Sequence, residues 1–379
     1  MSKEIFKRKL CVSLREVINR TNIFYKDKVQ SEKFNFICAF MDRFDFAVDY
    51  LNKNKSKPKS EIDFMTYIMQ ASIVVDGIKH CYDLLNMEEN KPNKFFSKYC
   101  LRDLGIECKD DDAFFRYFRS ISIAHPLNTT WSIPDRLTDE IQYSPYCLLN
   151  LYSFKDDTNP IGVYIYSNRR DAFSITFPFE ILQQYLVYKY NLLDEIIISF
   201  NSIIDNMEKE WKKRKVNRNQ NEIDILNDIV EILNERYLEH YAIDTLIDCL
   251  NCELTVKENE ENVEIFRNKI KEIIPTICDY VDEYRSDDLY ELCYSILDMR
   301  PKAHQMMHYQ LEKIFGYLTD DGYGDVDWGL IQADAFSKEF AKKWVLIKPY
   351  DMSFKEIKLL VYVACYLEYQ EQLMEGKNE

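Results

Sequence analysis

Glycine and proline are so scarce in this chain that helix is the only regular structure most of it can sustain. With 8 Gly and 10 Pro in 379 residues, there are too few turn-formers for the repeated tight reversals of an all-β sandwich, and too few for a collagen-like or low-complexity chain. Apolar residues make up 46% and aromatic residues 14%, enough to fill two buried cores at this length. The expected architecture is therefore mainly α, in two domains. No window approaches the ~20 uncharged apolar residues of a membrane span, and charges interrupt the opening MSKEIFKRKLCVSLREV where a secretory signal would be apolar. The 11 cysteines are odd in number and scattered, unlike the dense framework of a small secreted domain. A reduced, cytoplasmic protein with no membrane partner is the expectation.

The net charge of −15 is unevenly spread. Residues 1–222 hold 33 Lys and Arg against 31 Asp and Glu, whereas residues 223–379 hold 16 against 33. A near-neutral part with local basic clusters can hold a polyanion, while the acidic part repels one. Any nucleic-acid site is thus expected before about residue 222, and the acidic part is the expected surface for a protein partner.

Periodicity supplies the coarse map. Ile5, Leu10, Leu14 and Val17 form one helical stripe and Phe36, Phe40, Phe44 and Val48 another, predicting two helices before about residue 51. NKNKSKPKS at residues 52–60 is a solvated loop, and the pattern that resumes at Glu61 is expected to break at Gly77. Between about residues 143 and 178, short Tyr-, Ile- and Val-rich runs separated by polar connections predict a three-stranded antiparallel insertion. From Phe179 one long helix is expected, ending in the basic EKEWKKRKVNR. Residues 223–379 read as an all-helical acidic domain, with Pro275 kinking or dividing one helix.

The most informative stretch is DDAFFRYFRSISIAHPLNTT, residues 111–130. The acids preceding AFFRYF favour the positive end of a helix dipole and mark a helix start. Arg119 and His125 are separated by SISIA; on an unbroken helix six steps of about 100° leave them about 120° apart. Pro126 biases His125 away from helical geometry, however, so the helix is expected to end near Ala124 and the imidazole can turn back toward the guanidinium.

Arg119, five intervening residues and His125, in a helical domain with a polar stretch after the histidine, resemble the signature of the HEPN superfamily. The likeness covers about residues 31–215. It implies a helical domain and a metal-independent ribonuclease, as found in toxin and phage-defence proteins, that cleaves RNA by attack of its own 2′-OH. In that scheme His125 moves protons near neutral pH and Arg119 stabilises charge on the phosphate oxygens. Ser120 stands where the family has Asn, Asp or His, and would serve as a supporting hydrogen-bond donor. Arg116, Asn128 and Thr129 are candidate RNA contacts. Such nucleases pair two motifs across a dimer, and this chain has one, so the resemblance also implies a homodimer.

Trp211, Lys212, Lys213, Arg214 and Lys215 offer a stacking face and a basic track for a phosphate backbone; the same run also reads as a solvated helix end complementing the dipole. Arg169 and Arg170 fall on a predicted hairpin turn. No metal or cofactor is expected: the single CxxC at Cys249 and Cys252 lacks a second pair, His304 and His308 lack the glutamate of a zinc protease, and DDGYGDVDWG lacks the spacing of an EF-hand. GxxxxGK[ST], GxGxxG and GxSxG are all absent. Two readings of Arg119 and His125 remain open: a nuclease site, or an arginine paired with an acid such as Asp112 or Glu140 beside a histidine that caps a helix. On the second, the chain is a non-enzymatic interaction protein whose 27 tyrosines supply amphipathic contact area.

Overall fold

Side-chain caps open two helices in each part of the chain. Ser60, Asp110, Asn221 and Asp325 each accept a hydrogen bond from the backbone N–H three residues on, satisfying a donor that the first helical turn leaves orphaned. The computed structural model describes residues 4–89, 95–99, 110–129, 140–149, 159–298, 307–319 and 324–375. The chain forms two compact units, Met1–Asp205 and Asn206–Glu379, so the division falls earlier than the expected 222/223 and assigns the basic run to the second unit. Over these bounds the first unit has 27 Lys and Arg against 28 Asp and Glu, and the second 22 against 36.

The first unit begins with α1 (Lys9–Asn19), a short α2 (Ile23–Lys26), α3 (Ser31–Lys53) and α4 (Glu61–Leu84). Three helices thus stand where two were expected. Gly77 does not interrupt α4. A Cβ there would lie 2.5 Å from Cε2 of Phe40 on α3, so the glycine lets the two helices approach closely. α5 (Asp111–Arg119) passes directly into a π turn, Ser120–Ala124.

Four antiparallel strands follow: β1 (Gln142–Tyr143), β2 (Cys147–Leu148), β3 (Pro160–Ser167) and β4 (Phe173–Pro178). All three others pair with β3. The sheet has one strand more than expected because β1, two residues long, is too short to show alternation. The remainder of the expected strand after Leu149 lies outside the described residues. Alternation on β3 buries Ile161, Val163 and Ile165 and turns the residues between them to the opposite face. The helix expected from Phe179 is two: α6 (Phe179–Asn191) and α7 (Leu193–Trp211), parted at Leu192.

The second unit is helical among its described residues: α8 (Glu222–Glu235), α9 (Tyr241–Asn251), α10 (Glu260–Glu283), α11 (Ser286–Leu297), α12 (His308–Tyr317), α13 (Val326–Glu339) and α14 (Phe354–Glu375). α10 runs through Pro275 undivided. Its stripe of Val263, Phe266, Ile270, Ile274, Ile277 and Val281 is buried on both sides of the proline, and that packing outweighs the missing hydrogen bond. No described helix is long and apolar enough to cross a membrane.

Candidate functional site

Three consecutive aspartates set α5 in place, each by a different contact. Asp110 caps the helix through Ala113 N–H, at 2.6 Å. Asp111 accepts from the backbone N–H groups of Phe95 and Phe96 at 3.0 and 2.9 Å. Asp112 accepts from the Tyr185 hydroxyl at 2.6 Å and from Lys189 Nζ at 3.0 Å, both on α6. Lys189 is fully buried and its second partner is Glu89, at 2.6 Å. Phe114, Phe115 and Phe118 complete the attachment by burial against the core.

The other end of α5 carries the predicted motif. The π turn closes with His125 N–H donating to the Ser120 carbonyl at 2.8 Å, and His125 leaves helical geometry at φ −140°, ψ 50°. The helix thus ends at Ala124, where Pro126 requires it to. The His125 carbonyl accepts from Asn128 N–H at 3.1 Å and from the Thr129 hydroxyl at 2.6 Å. Thr129 exchanges two backbone hydrogen bonds of 3.0 Å with Gln142 of β1, and Ser144 N–H donates to the Pro126 carbonyl at 2.6 Å. This fastens the backbone of the His125 turn to the sheet, while the imidazole is exposed and makes no hydrogen bond to a described residue.

Arg119 turns to α4, where Nη1 donates to Asp76 Oδ2. It pairs with neither of the acids considered from sequence: Asp112 is held by Lys189 and Tyr185, and Glu140 accepts Arg170 Nη2 at 2.5 Å and Ser167 Oγ at 2.8 Å. Burial by itself raises the Glu140 carboxyl, but hydrogen bonds from Arg170, Ser167 and Gln142 outweigh it and hold the group below its ordinary value. The Arg119–Asp76 pair is partly open, at 33% and 39% side-chain exposure, and Arg119 Nε is buried without a hydrogen-bond partner among the described residues. An ion pair so exposed contributes about 0–1 kcal/mol.

One turn beyond Asp76, the exposed His80 packs its ring on Phe36, centroids 5.6 Å apart, with Nδ1 3.3 Å from the Asp76 carbonyl. Asp76 and His80 escaped the sequence reading; their i, i+4 spacing on a periodic helix was the available signal. Ser120 and Arg116 are half-buried, Asn128 is exposed and Thr129 is buried. The structure thus brings Arg119 against Asp76, and joins the His125 turn to Asn128, Thr129 and β1. No hydrogen bond links the Arg119 and His125 side chains.

The basic run is spent within the second unit. Arg214 pairs with Asp228, Glu231 and Glu235. Lys213 pairs with Glu210, Lys215 donates to the Asp282 carbonyl at 2.7 Å, and Lys212 lies over the Tyr284 ring. Trp211 packs edge-on to Tyr237 and tilted on Tyr284. Arg169 is exposed on the β3–β4 turn.

Among the described residues no three His, Cys, Asp or Glu side chains gather into a metal-binding group. Cys249 is buried, which pushes its thiol up, and Cys252 is half-buried. His304 lies outside the described residues, as does part of DDGYGDVDWG. Comparison with protein families, curated proteins and solved structures gives no match for this chain.

Proposed function

We propose that the first unit is a metal-independent ribonuclease of HEPN type, with His125 as the proton-transfer group and Arg119 as the phosphate clamp. The observation that carries this reading is the end of α5: the helix stops at Ala124, exposes the His125 imidazole on a backbone fastened to the sheet, and leaves Arg119 half-open on a weak partner. In the reaction an imidazole accepts the 2′-OH proton as that oxygen attacks phosphorus, the bond from phosphorus to the 5′-oxygen breaks, and that oxygen takes a proton from the imidazolium so formed or from water. The guanidinium, exchanging Asp76 for the phosphate, stabilises the charge on its oxygens. Ser120 and Arg116 flank the clamp. The basic run 212–215 belongs to the second unit and takes no part in the chemical step of this reading.

The exposed stripe of α4 supports a homodimer. Ile62 is 76%, Met65 36% and Met69 49% exposed, and the same i, i+3, i+7 face continues to Asp76 and His80. An apolar strip adjoining the clamp is the feature a two-fold contact needs to bring two motifs together. The acidic second unit is assigned to a protein partner or to restraint of the nuclease, and the biological setting to toxin or defence activity in the cytoplasm.

The test is end-group chemistry. In EDTA the purified chain should release RNA fragments ending in 2′,3′-cyclic phosphate and leave a 2′-deoxy version of the same oligonucleotide intact. Cleavage of both strands, or of neither, rejects the reading.

A further inference from the structure

Four tyrosines share the outer face of the sheet. On β3, Tyr164 and Tyr166 are two residues apart, alternating with the buried Val163 and Ile165, so both point away from the core. Tyr143 of β1 is the direct register partner of Tyr166, which sets the two side chains on one face. Tyr146 precedes β2, its carbonyl accepting Tyr164 N–H at 3.3 Å. The Tyr146 and Tyr164 rings are stacked, centroids 5.6 Å apart and planes 4° apart, and Tyr166 stands edge-on to Tyr164 at 5.4 Å and 90°. Tyr146 is 47% and Tyr166 49% exposed.

A folded chain does not gain from leaving stacked aromatic rings in water; they lose contact area that burial would supply. We infer that this face is a stacking platform for the unpaired bases of single-stranded RNA. Three observations favour that occupant. Aromatic rings on a sheet offer π-faces to any base, which is how sequence-tolerant single-strand binding works. The platform is joined to the candidate site through the backbone, because β1 is laddered to Thr129 and Ser144 is bonded to Pro126. It also sits in the unit whose charges balance, rather than in the acidic one. The inference deepens the ribonuclease reading and rests on it for the identity of the polymer: the platform holds bases, while Arg119 and His125 address the phosphodiester.

The experiment uses the full chain and a short, fluorescently labelled 2′-O-methyl oligonucleotide, which keeps the bases and cannot be cleaved by 2′-OH attack. Anisotropy titration should show that Tyr146→Ala and Tyr164→Ala each weaken binding about tenfold. Tyr164→Trp should restore it, and a blunt duplex of the same sequence should bind at least about tenfold more weakly than the single strand. Far-UV circular dichroism checks that the variants fold. Absence of single-strand binding, or unchanged affinity in both alanine variants, overturns the inference. So does a change in sedimentation of those variants with unchanged RNA affinity, because the tyrosines are then a contact between copies of the chain. The two readings fail separately. Tyrosine-dependent binding without cleavage of ordinary RNA keeps the platform and removes the nuclease; cleavage that needs Arg119 and His125 but ignores all three tyrosine substitutions does the reverse.

Discussion

Replacing Lys189 by methionine should loosen α5 more than any change at its exposed end. The ammonium has no exposure, and its two carboxylate partners, on Glu89 and Asp112, are only 11% and 12% exposed. Methionine keeps most of the volume, so the loss is electrostatic: Asp112 keeps the Tyr185 hydroxyl but loses its counter-charge, and Glu89 is left beside it. Removing one partner of a buried ion pair costs about 3–5 kcal/mol, because the remaining charge stays buried. Hydrogen exchange by mass spectrometry reads this locally: amides of α5 and α6 should exchange roughly two orders of magnitude faster or more, while those of α8 to α11 are unchanged. A second replacement, Asp112→Asn, should recover part of the loss by discharging the orphan. Exchange in α5 equal to that of the unmodified chain would refute the claim that this cluster anchors the helix.

Arg170→Met should destabilise the first unit by about 3 kcal/mol at neutral pH, since Glu140 has 4% side-chain exposure. The Glu140 carboxyl is held below its ordinary value in the folded state. Its contribution is thus fully present above the ordinary carboxylate range and is lost as pH falls through the lowered value. Urea titrations at decreasing pH should therefore show variant and parent converging. Gly77→Val should cost about 1–3 kcal/mol in the same assay, because the added side chain meets the buried Phe40 ring. Met65→Lys with Met69→Lys should lower the sedimentation coefficient from that of a dimer to that of a monomer while leaving the circular dichroism unchanged.

What was legible from sequence was local. Asp110 before an aromatic run and Pro126 after SISIA bound α5 and its π turn, because a cap and a stop act on their own neighbours. The Tyr- and Ile-rich runs marked the sheet for the same reason. Gly77 misled, since its role depends on Phe40 arriving from another helix; inside a long amphipathic helix, packing outweighs the propensity cost of one glycine. Pro275 lies inside α10 without dividing it, because the stripe on both sides is buried. The partner of Arg119 was hidden because Asp76 lies 43 residues earlier, with nearer acids such as Asp112 and Glu140 as plausible candidates. The partners of Lys212, Arg214 and Lys215 were hidden for the same reason: Asp228, Glu235, Asp282 and Tyr284 come later in the chain.

Arg119 and His125 acting on one scissile phosphodiester is the central claim, and single-turnover cleavage of an oligoribonucleotide in EDTA tests it most directly. The expected result is cleavage to a 2′,3′-cyclic phosphate by the parent chain, with Arg119→Ala and His125→Ala each slower by about 10²-fold or more and folded as judged by circular dichroism. Cleavage by either variant at the parent rate would contradict it.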